Sequence, residues 1–526
     1  MLTLSSALTS AQVLLNKPPL WKLILSRTSQ TTKGYSNANA RILRISYTVT
    51  PSGDTAEIVL NNTDGALTSL DFEHYQAVIS FGFKTGASPS AWAANTAYSL
   101  DAIRVPVTAN GYQYRCSVAG TSHAITEPTW PTDLGVTVTD GTVTWEMDGN
   151  SGNEYARLAP LRVRTQELHS SQGILRVILR PAGIFNQLGK DKAESVHTQK
   201  KGDTRTIKTL FTAIAGATLA PYTNYTAYTV VYDSEDSIID SFTPEEFFSV
   251  QLNETREAKL DELLSYTGCK RRAENDGKIH VFDPVTTGAT YAYEYKLNVS
   301  GEHQFWNKAI TLKFIEPNIV TVKTPDTDIS PHSGNATSAT SYALAYKGHT
   351  IQKRLASDAQ AAAIAAAIIE SNELDAEKGL AIVPMNVGQQ LWDYVKFTDA
   401  RENDTRVGNV QFIQREVEIH LGNQGLTWRM IVGFGKTSAL SIMASLVMAA
   451  SAGAGETETI ISVDVPKPQA LLEAIVAGIE YNAANIAILF AAHNALREYV
   501  LSQQSDEATF RKLTVTDELI IPSEAA

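Results

Sequence analysis

RILRISYTVTPSGDTAEIVLNNTDG, residues 41–65, contains two strand patterns joined by a turn. Polar and apolar residues partly alternate over residues 41–49, as they do in a strand with one buried face. Pro51-Ser-Gly-Asp54 supplies turn residues, and a second strand pattern over residues 55–60 ends at Asn61-Asn62-Thr63-Asp64-Gly65. We therefore predict an antiparallel β-hairpin here and a β domain around it.

The strand pattern continues beyond this hairpin and is interrupted once. Further strand patterns occupy residues 76–84, 155–166 and 173–179, whereas residues 87–150 differ in composition. We predict a discontinuous N-terminal β domain, residues 1–86 plus 151–190, with residues 87–150 inserted as a small β module between two of its strands. Insertions of this kind are tolerated at exposed loop tips.

The inserted module is rich in aromatic residues set among Gly, Thr, Ser and Pro. Asn110-Gly111 and Asp140-Gly141 are tight-turn dipeptides flanked by strand-forming residues. Exposed Trp and Tyr faces stack on sugar rings, so the candidate carbohydrate-binding residues are Trp92, Tyr112, Trp130 and Trp145. The alternative is that these residues form the core, because so small a module must build its core from its largest side chains. Tyr112, beside a turn, is expected to be the most exposed.

The region that follows, residues 191–323, mixes helix and strand patterns. A helix is expected over residues 256–266, with Thr255 as its N-cap and Gly268 as its stop. Asn275-Asp276-Gly277 then turns a hairpin. We predict a middle α+β domain.

Residues 324–341 are polar, contain two prolines and are predicted to be a linker. Beyond them, residues 342–435 are predicted to form a second β-rich domain that carries one helix. Ser357 and Gln360 form a capping box at the start of that Ala-rich helix. The strand patterns of this domain cover residues 391–398, 407–421 and 426–432.

The C-terminal segment, residues 436–526, contains a heptad seam with spacings of three and four. Its a and d residues are Leu472, Ile475, Ile479, Asn482, Ile486, Leu489, His493, Leu496, Val500 and Gln503. Isoleucine at both a and d positions favours three or four strands over a parallel dimer, and Asn482 and His493 would set the register. We predict a trimeric coiled coil; the alternative is an amphipathic helix packed on its own domain.

One stretch within that segment raises the question of a membrane. Residues 437–455 carry no charge and are long enough to span a bilayer. They consist mostly of Ala, Ser and Gly, however, with few large aliphatic residues. We therefore expect a helix buried in an assembly rather than a membrane span.

Composition limits the classes of function. With 526 residues the chain is too long for one core. It has 44 Lys plus Arg against 56 Asp plus Glu, a net charge of −12, which disfavours binding to a phosphate backbone. Cys116 and Cys269 are too few for a disulfide framework. The first basic residue is Lys17, and the N-terminal sequence does not match the pattern of an export signal. We therefore expect folding in a reducing cytoplasm.

Motifs for catalysis are weak. The sequence lacks His-Glu-x-x-His and Gly-x-Ser-x-Gly. Gly433-Phe-Gly435-Lys436-Thr437 resembles a phosphate-binding loop, but Met430 stands where its first glycine is required. Cys116 near His123 is more typical of a packed cysteine than of a nucleophile. Asp326, Asp328 and His332 share a polar loop but match no calcium template. We predict no enzyme, no metal site and no cofactor.

Several segments resemble the tail-hub, or baseplate-hub, proteins of tailed bacteriophages and related particles. The resemblance covers most of residues 1–435 and is weaker over the last 90. It rests on these quoted segments: LTLSSALTSAQVLLNKPPLWKLILS (2–26), AEIVLNNTDGALTSLDF (56–72), LLSYTGCKRRAENDGKIHVFDP (263–284), RLASDAQAAAIAAAII (354–369), VPMNVGQQLWDYVKFTDAR (383–401) and RVGNVQFIQREVEI (406–419). The insert, with GYQYRCSVAGTS (111–122), EPTWP (127–131) and DGTVTW (140–145), is similar to a carbohydrate-binding-like module of phage tail proteins.

The resemblance implies a mainly β, multidomain architecture with α+β parts and two tail-tube-like β domains. Members of the family commonly work as trimers, so that three chains match a hexameric tail tube. The expected function is a structural hub at the virion tail tip that joins the tube to tip or central fibre proteins, while genome DNA passes through without specific binding. Two alternatives remain: an adhesin that binds a host glycan through the insert, and a tail-associated cell-wall hydrolase.

Overall fold

The computed structural model of the chain describes residues 1–434, apart from residue 15 and residues 172–173, 313, 402 and 420–424. The predicted seam and the uncharged stretch 437–455 lie outside these residues. Within them the expectation of a mainly β fold is confirmed. A large sheet, several small sheets and a few helices make up the structure.

The regular elements of the N-terminal half of the described chain are almost all strands. One helix precedes the strands, α1 (Ser6–Val13). The strands before the insert are β1 (Pro19–Ser26), β2 (Lys33–Ser36), β3 (Ile42–Thr50), β4 (Gly53–Asn61) and β5 (Gln76–Lys84). The insert contains β6 (Ala97–Tyr98), β7 (Ile103–Arg104), β8 (Tyr112–Val118), β9 (Gly120–Thr121), β10 (Thr137–Asp140) and β11 (Val143–Asn150). After it come β12 (Asn153–Arg157), β13 (Leu161–Ser171) and β14 (Ile174–Ala182).

The remaining elements mix helices and strands. The helices are α2 (Ile184–Leu188), α3 (Ile207–Ala215), α4 (Ile238–Ser241), α5 (Arg256–Leu264), α6 (Ala339–Leu344) and α7 (Asp358–Leu374). The shorter strands are β15 (His197–Thr198), β16 (Val230–Tyr232), β17 (Ser249–Val250), β18 (Lys270–Ala273), β19 (Ile279–Phe282), β20 (Tyr293–Leu297), β21 (Asn307–Leu312), β22 (Ile319–Lys323), β23 (Ser333–Thr337) and β24 (Gly348–Gln352). The last are β25 (Glu377–Pro384), β26 (Tyr394–Asp399), β27 (Asp404–Ile419) and β28 (Leu426–Phe434).

One sheet joins the two predicted β domains. Its 14 strands follow the order β2-β1-β5-β13-β14-β4-β3-β27-β28-β25-β21, with β12, β20 and β26 attached to the side of this path. The two halves meet where β3 pairs antiparallel with β27, from Val49 opposite Ile413 to Arg44 opposite Glu418. One hydrophobic core serves both halves: Trp428 of β28 lies 6.1 Å from Trp21 of β1, measured between ring centroids. The two predicted β domains therefore share one sheet and one hydrophobic core.

The insert leaves this sheet and returns to it within one hairpin. β5 and β12 pair directly, with Lys84 opposite Asn153, and the N–H of Gly86 donates to the carbonyl of Gly152 at 2.9 Å. The chain ends that flank residues 87–150 are therefore adjacent. The module itself has a four-stranded sheet, in the order β10-β11-β8-β7.

A second core lies beneath the α+β part and differs from the predicted domain division. α7, assigned from sequence to the second β domain, instead packs on β22 and β23 and contributes Ile364 and Ala365 to this core. β20 and β21, assigned to the middle domain, instead join the large sheet. Both differences arise because contacts distant in sequence decide which core an element shares.

Residues 324–341 are not a linker. They include β23, which pairs with β22, and the start of α6. Gly334 lies so close to the backbone of Ala362 in α7 that a Cβ there would stand 2.3 Å from the Ala362 nitrogen. The small and polar residues that suggested a linker thus allow a strand to pack directly against a helix.

The predicted helix starts are confirmed at the caps. The Thr255 hydroxyl accepts from the Ala258 N–H at 3.3 Å, and the Ser357 hydroxyl accepts from the Gln360 N–H at 3.1 Å. The Gln360 side chain in turn accepts from the N–H of Ala356 at 2.8 Å. These capping hydrogen bonds join residues three or four positions apart, and they are present in the tertiary fold.

Candidate functional site

Two of the four candidate carbohydrate-binding residues lie in the core of the insert. Trp145 is fully buried and Trp92 is 8% exposed. Both indole N–H groups donate to one Asp140 carboxylate oxygen, Trp92 at 2.7 Å and Trp145 at 3.0 Å. A buried indole N–H needs an acceptor, and one carboxylate serves both rings. Their ring faces are closed to a ligand in this arrangement.

The other two candidates, Trp130 and Tyr112, are half-buried. The Trp130 ring packs at a tilt of 36° against Tyr114 with 4.2 Å between ring centroids, and its N–H donates to Glu127 at 2.8 Å. Tyr112 begins β8, where its N–H donates to the Asn110 side chain at 3.0 Å. The sequence-based site is thus divided between core and surface, and only Tyr112 and Trp130 retain accessible ring surface.

The insert is attached to the large sheet by buried charges that the sequence analysis missed. Lys22 of β1 donates to the Asp148 side chain at 2.5 Å and to the Asp148 carbonyl at 2.7 Å. Arg115 of β8 donates through Nε to the same carboxylate oxygen at 2.9 Å. The Asp148 side chain is fully buried and that of Lys22 is 2% exposed. A lone Lys within the apolar strand Pro19–Ser26 was the available signal.

The electrostatics of this group follow from burial and pairing. Burial opposes ionisation of Asp148, but the charges of Arg115 and Lys22 outweigh it and hold its pKa below the ordinary value. Burial lowers the pKa of Lys22 against the attraction of Asp148. The Lys22 ammonium also lies 4.3 Å from the centroid of the Tyr155 ring. Paired, buried charges therefore attach the insert to the sheet.

The face of the large sheet opposite its core carries a ladder of ion pairs. It crosses six adjacent strands, including the junction of β3 and β27, and alternates in sign. Arg44 lies 3.3 Å from Glu416 across that junction, and Glu416 lies 2.7 Å from Arg429. The members in strand order are Glu167, Arg180, Glu57, Arg44, Glu416 and Arg429. Cross-strand pairs of opposite charge favour this register over a shifted one.

A second polar group lies inside the sheet near the junction. Arg415 of β27 is 1% exposed and donates to the carbonyls of Gln389 at 2.5 Å and Asn386 at 3.4 Å. Asp54 at the start of β4 accepts from the Tyr47 hydroxyl at 3.2 Å. Burial raises the pKa of Asp54 to about 7, although the Tyr47 hydrogen bond and the Arg415 charge oppose the shift. Burial lowers the pKa of Arg415 to about 10.

The weaker catalytic candidates do not assemble into a site in the described part of the chain. Cys116 donates to the carbonyl of Val118 at 3.2 Å, and burial raises its pKa. His123 Nδ1 instead accepts from two backbone N–H groups. The polar-loop residues pair with different partners: Asp326 with Lys323, Asp328 with Arg354, and His332 with Asp358. No group of metal-ligating side chains is present among the described residues.

The remaining sequence-based sites lie largely beyond the region that the structure describes. The seam residues Leu472 to Val500 and most of the Gly433 to Thr437 motif are outside it. Among the described helices, none is long and apolar enough to cross a membrane.

No protein-family model matches the sequence, and no curated protein matches it. Among solved structures, the chain is similar to the tail protein from Neisseria meningitidis MC58, at 10% identity and a TM-score of 0.47, over 79% of this chain and 96% of that chain. It is also similar to prophage tail protein gp18 from Listeria monocytogenes EGD-e, at 10% identity and a TM-score of 0.43, over 82% and 99% of the two chains. A 43 kDa tail protein of prophage MuSo2 from Shewanella oneidensis is likewise 10% identical, with a TM-score of 0.42, over 79% and 98%.

Proposed function

We propose that this chain is a structural hub of a phage-like tail that acts as a homotrimer. The observation that carries the proposal is the single sheet in which two β-rich halves, one from each end of the described chain, lie side by side through β3 and β27. Three copies with two β halves each supply six β units around one axis. A three-fold assembly can thus match a six-fold tube.

The resemblance of the quoted sequence segments to tail-hub proteins supports the same role. The partners would be distal tail or tail tube proteins on one side and fibre or tip proteins on the other, with the virion tail tip as the location. The net charge of −12 favours passage of DNA over adhesion, because the protein as a whole repels phosphates. The role is one of symmetry matching and requires no catalysis by the chain.

The test is the mass of the full chain in solution, by native mass spectrometry and sedimentation. We expect three times the chain mass of 57.2 kDa. A variant that ends at residue 436 is measured alongside it to separate the contribution of the predicted coil. A monomer in both forms over the micromolar range would overturn the proposal.

A second candidate function is recognition of a host glycan by the inserted module. The partly accessible rings of Tyr112 and Trp130 favour it, because aromatic faces at a surface can stack on sugar rings. Glycan-array binding by the full chain that is lost in Tyr112→Ala, with an unchanged melting temperature, would support this role. Binding that survives both Tyr112→Ala and Trp130→Ala would exclude these residues as the site.

A further inference from the structure

A cleft of about 410 Å³ lies where three parts of the chain meet. Its walls come from the N-terminal segment before α1, from the insert and from β12, and Asn275 of the α+β part closes one side. Asn275 donates to Asp101 of the insert at 3.2 Å, which ties the walls together. Clefts of this size at the meeting point of several parts of a chain are typical of small-molecule sites.

One wall presents an unused acceptor. The Oε1 atom of Glu154 in β12 accepts a hydrogen bond from the Ser5 hydroxyl at 2.7 Å. Its Oε2 atom is buried and has no hydrogen-bond partner among the described residues. No Lys or Arg of the described chain forms an ion pair with Glu154. A buried carboxylate oxygen without a donor is unfavourable, so a ligand that donates to it would gain free energy.

The same lining also presents an unused donor. The Arg104 guanidinium lies 4.9 Å from the centroid of the Tyr98 ring, and one of its nitrogens donates to the carbonyl of Ile103 at 2.6 Å. No Asp or Glu among the described residues forms an ion pair with Arg104. Its remaining N–H groups are therefore available to a ligand in the same cleft.

The rest of the lining defines the chemical class. Ser88 and Ser90 are exposed and supply hydroxyl groups, while Leu4, Pro89 and Ile103 supply an apolar wall. The lining includes three carboxylates (Asp101, Asp148 and Glu154) and three guanidinium groups (Arg104, Arg115 and Arg157), so the cleft carries no net charge. A complementary ligand offers O–H donors to the Glu154 carboxylate, oxygen acceptors to the Arg104 guanidinium and C–H surface to the apolar wall, which is the chemistry of a neutral pyranose sugar.

We infer that this cleft binds a neutral monosaccharide or the end of a glycan, with Glu154 and Arg104 as its polar contacts. The site is separate from the aromatic residues of the insert, and the inference does not depend on trimer formation. It would place any sugar at the base of the insert, against the large sheet.

The test is saturation-transfer NMR and calorimetry on the full chain with glucose, galactose and N-acetylglucosamine as probes, and with alanine as a zwitterionic comparison. We expect millimolar binding of at least one sugar and none of alanine. Glu154→Gln and Arg104→Ala should each weaken sugar binding by about tenfold, as expected for the loss of one charge-assisted hydrogen bond. Ile125→Ala, at an exposed position of the insert that does not line the cleft, should leave the affinity unchanged.

Ser90→Trp provides a variant that blocks the cleft from an exposed position, should either polar variant fail to fold. It should abolish sugar binding while the melting temperature stays unchanged. Binding of alanine in place of sugars, sugar binding that persists in Ser90→Trp, or the absence of binding by all three sugars would each overturn the inference.

Discussion

At the scale of single residues, this protein uses buried charges where parts of the chain distant in sequence meet. Lys22, Arg115 and Asp148 join the insert to the sheet, and Arg415 with Asp54 lies inside the junction of the two halves. A buried charge is unfavourable unless it is paired, so each group stabilises only the correct assembly of its parts. The two groups differ in their response to substitution and to pH.

Asp148→Asn is expected to destabilise the attachment of the insert strongly. It leaves the buried Lys22 charge without its counter-charge and leaves Arg115 with Asp101 alone, and roughly 3–5 kcal/mol is typical of breaking a buried pair. The measurement is the free energy of unfolding of the large sheet from urea denaturation. Asp64→Asn is a matched control, because the Arg41–Asp64 pair is half exposed on the Asp64 side and exposed ion pairs contribute little to stability. Equal losses of unfolding free energy in Asp148→Asn and Asp64→Asn would contradict the role of Asp148 in attaching the insert.

Asp54→Asn is expected to change how stability depends on pH. Burial raises the pKa of Asp54 to about 7, above its usual unfolded value near 3.9. The folded state therefore binds more protons than the unfolded state between about pH 4 and pH 7, and the contribution of this group to stability falls as pH rises through that window. Asp54→Asn should be more favourable relative to wild type at pH 8 than at pH 5 in thermal melts. An identical difference at both pH values would show that Asp54 does not titrate there.

At the scale of elements, strand pairing settles the position of every part of the large sheet. β3 and β27, whose sequences are more than 350 residues apart, lie side by side with a ladder of charges that continues over β13, β14, β4 and β28. The exposed pairs of the ladder are individually weak, but together they penalise a shifted register. The hairpin of β5 and β12 is likewise fixed by strand pairing, because these two strands pair directly with each other on either side of the insert.

Deletion of residues 87–150 is expected to leave the rest of the protein folded. The N–H groups of Thr85 and Gly86 already donate to the Gly152 carbonyl, so a short turn can replace the insert. Lys22 would then regain water, and the deletion should therefore reduce the denaturation midpoint of the sheet less than Asp148→Asn does. Circular dichroism and urea denaturation provide the comparison. A deletion variant that fails to fold would show that the insert completes the core of the sheet.

At the scale of the whole molecule, the described chain forms one body in which both β halves and the α+β part meet. The halves share one core, and α7 belongs to the core of the α+β part although its sequence lies within the second β region. Under the proposed trimer, the described part of the chain is the unit that is repeated three times. The predicted coil at residues 472–503 would then lie on the three-fold axis.

Replacement of both Asn482 and His493 by Ile tests that axis. Apolar residues at these two seam positions should stabilise a coiled coil and loosen its choice of register or strand number. The measurements are the melting temperature and the mass distribution of the full chain. If both are unchanged, this helix is not the axis of assembly. Ser502→Ala, beside the seam, is the control and should alter neither.

Local patterns predicted much of this fold. Alternation over residues 41–60 indicated the hairpin of β3 and β4, and Thr255 and Ser357 marked the starts of α5 and α7. Those features depend on interactions within a few residues, which the sequence displays directly. The polar stretch 324–341 misled because composition does not reveal that Gly334 packs against a helix.

The sequence by itself determined the mainly β class, the helix caps and the aromatic character of the insert, because each depends on local propensity and periodicity. Only the tertiary structure decided that the two β regions form one sheet, that Trp92 and Trp145 are buried around Asp140, and that Glu154 and Arg104 line one cleft. The physical reason is that pairing of distant strands and burial of charge are settled by contacts between residues tens to hundreds of positions apart. Such contacts leave no periodic trace in the sequence.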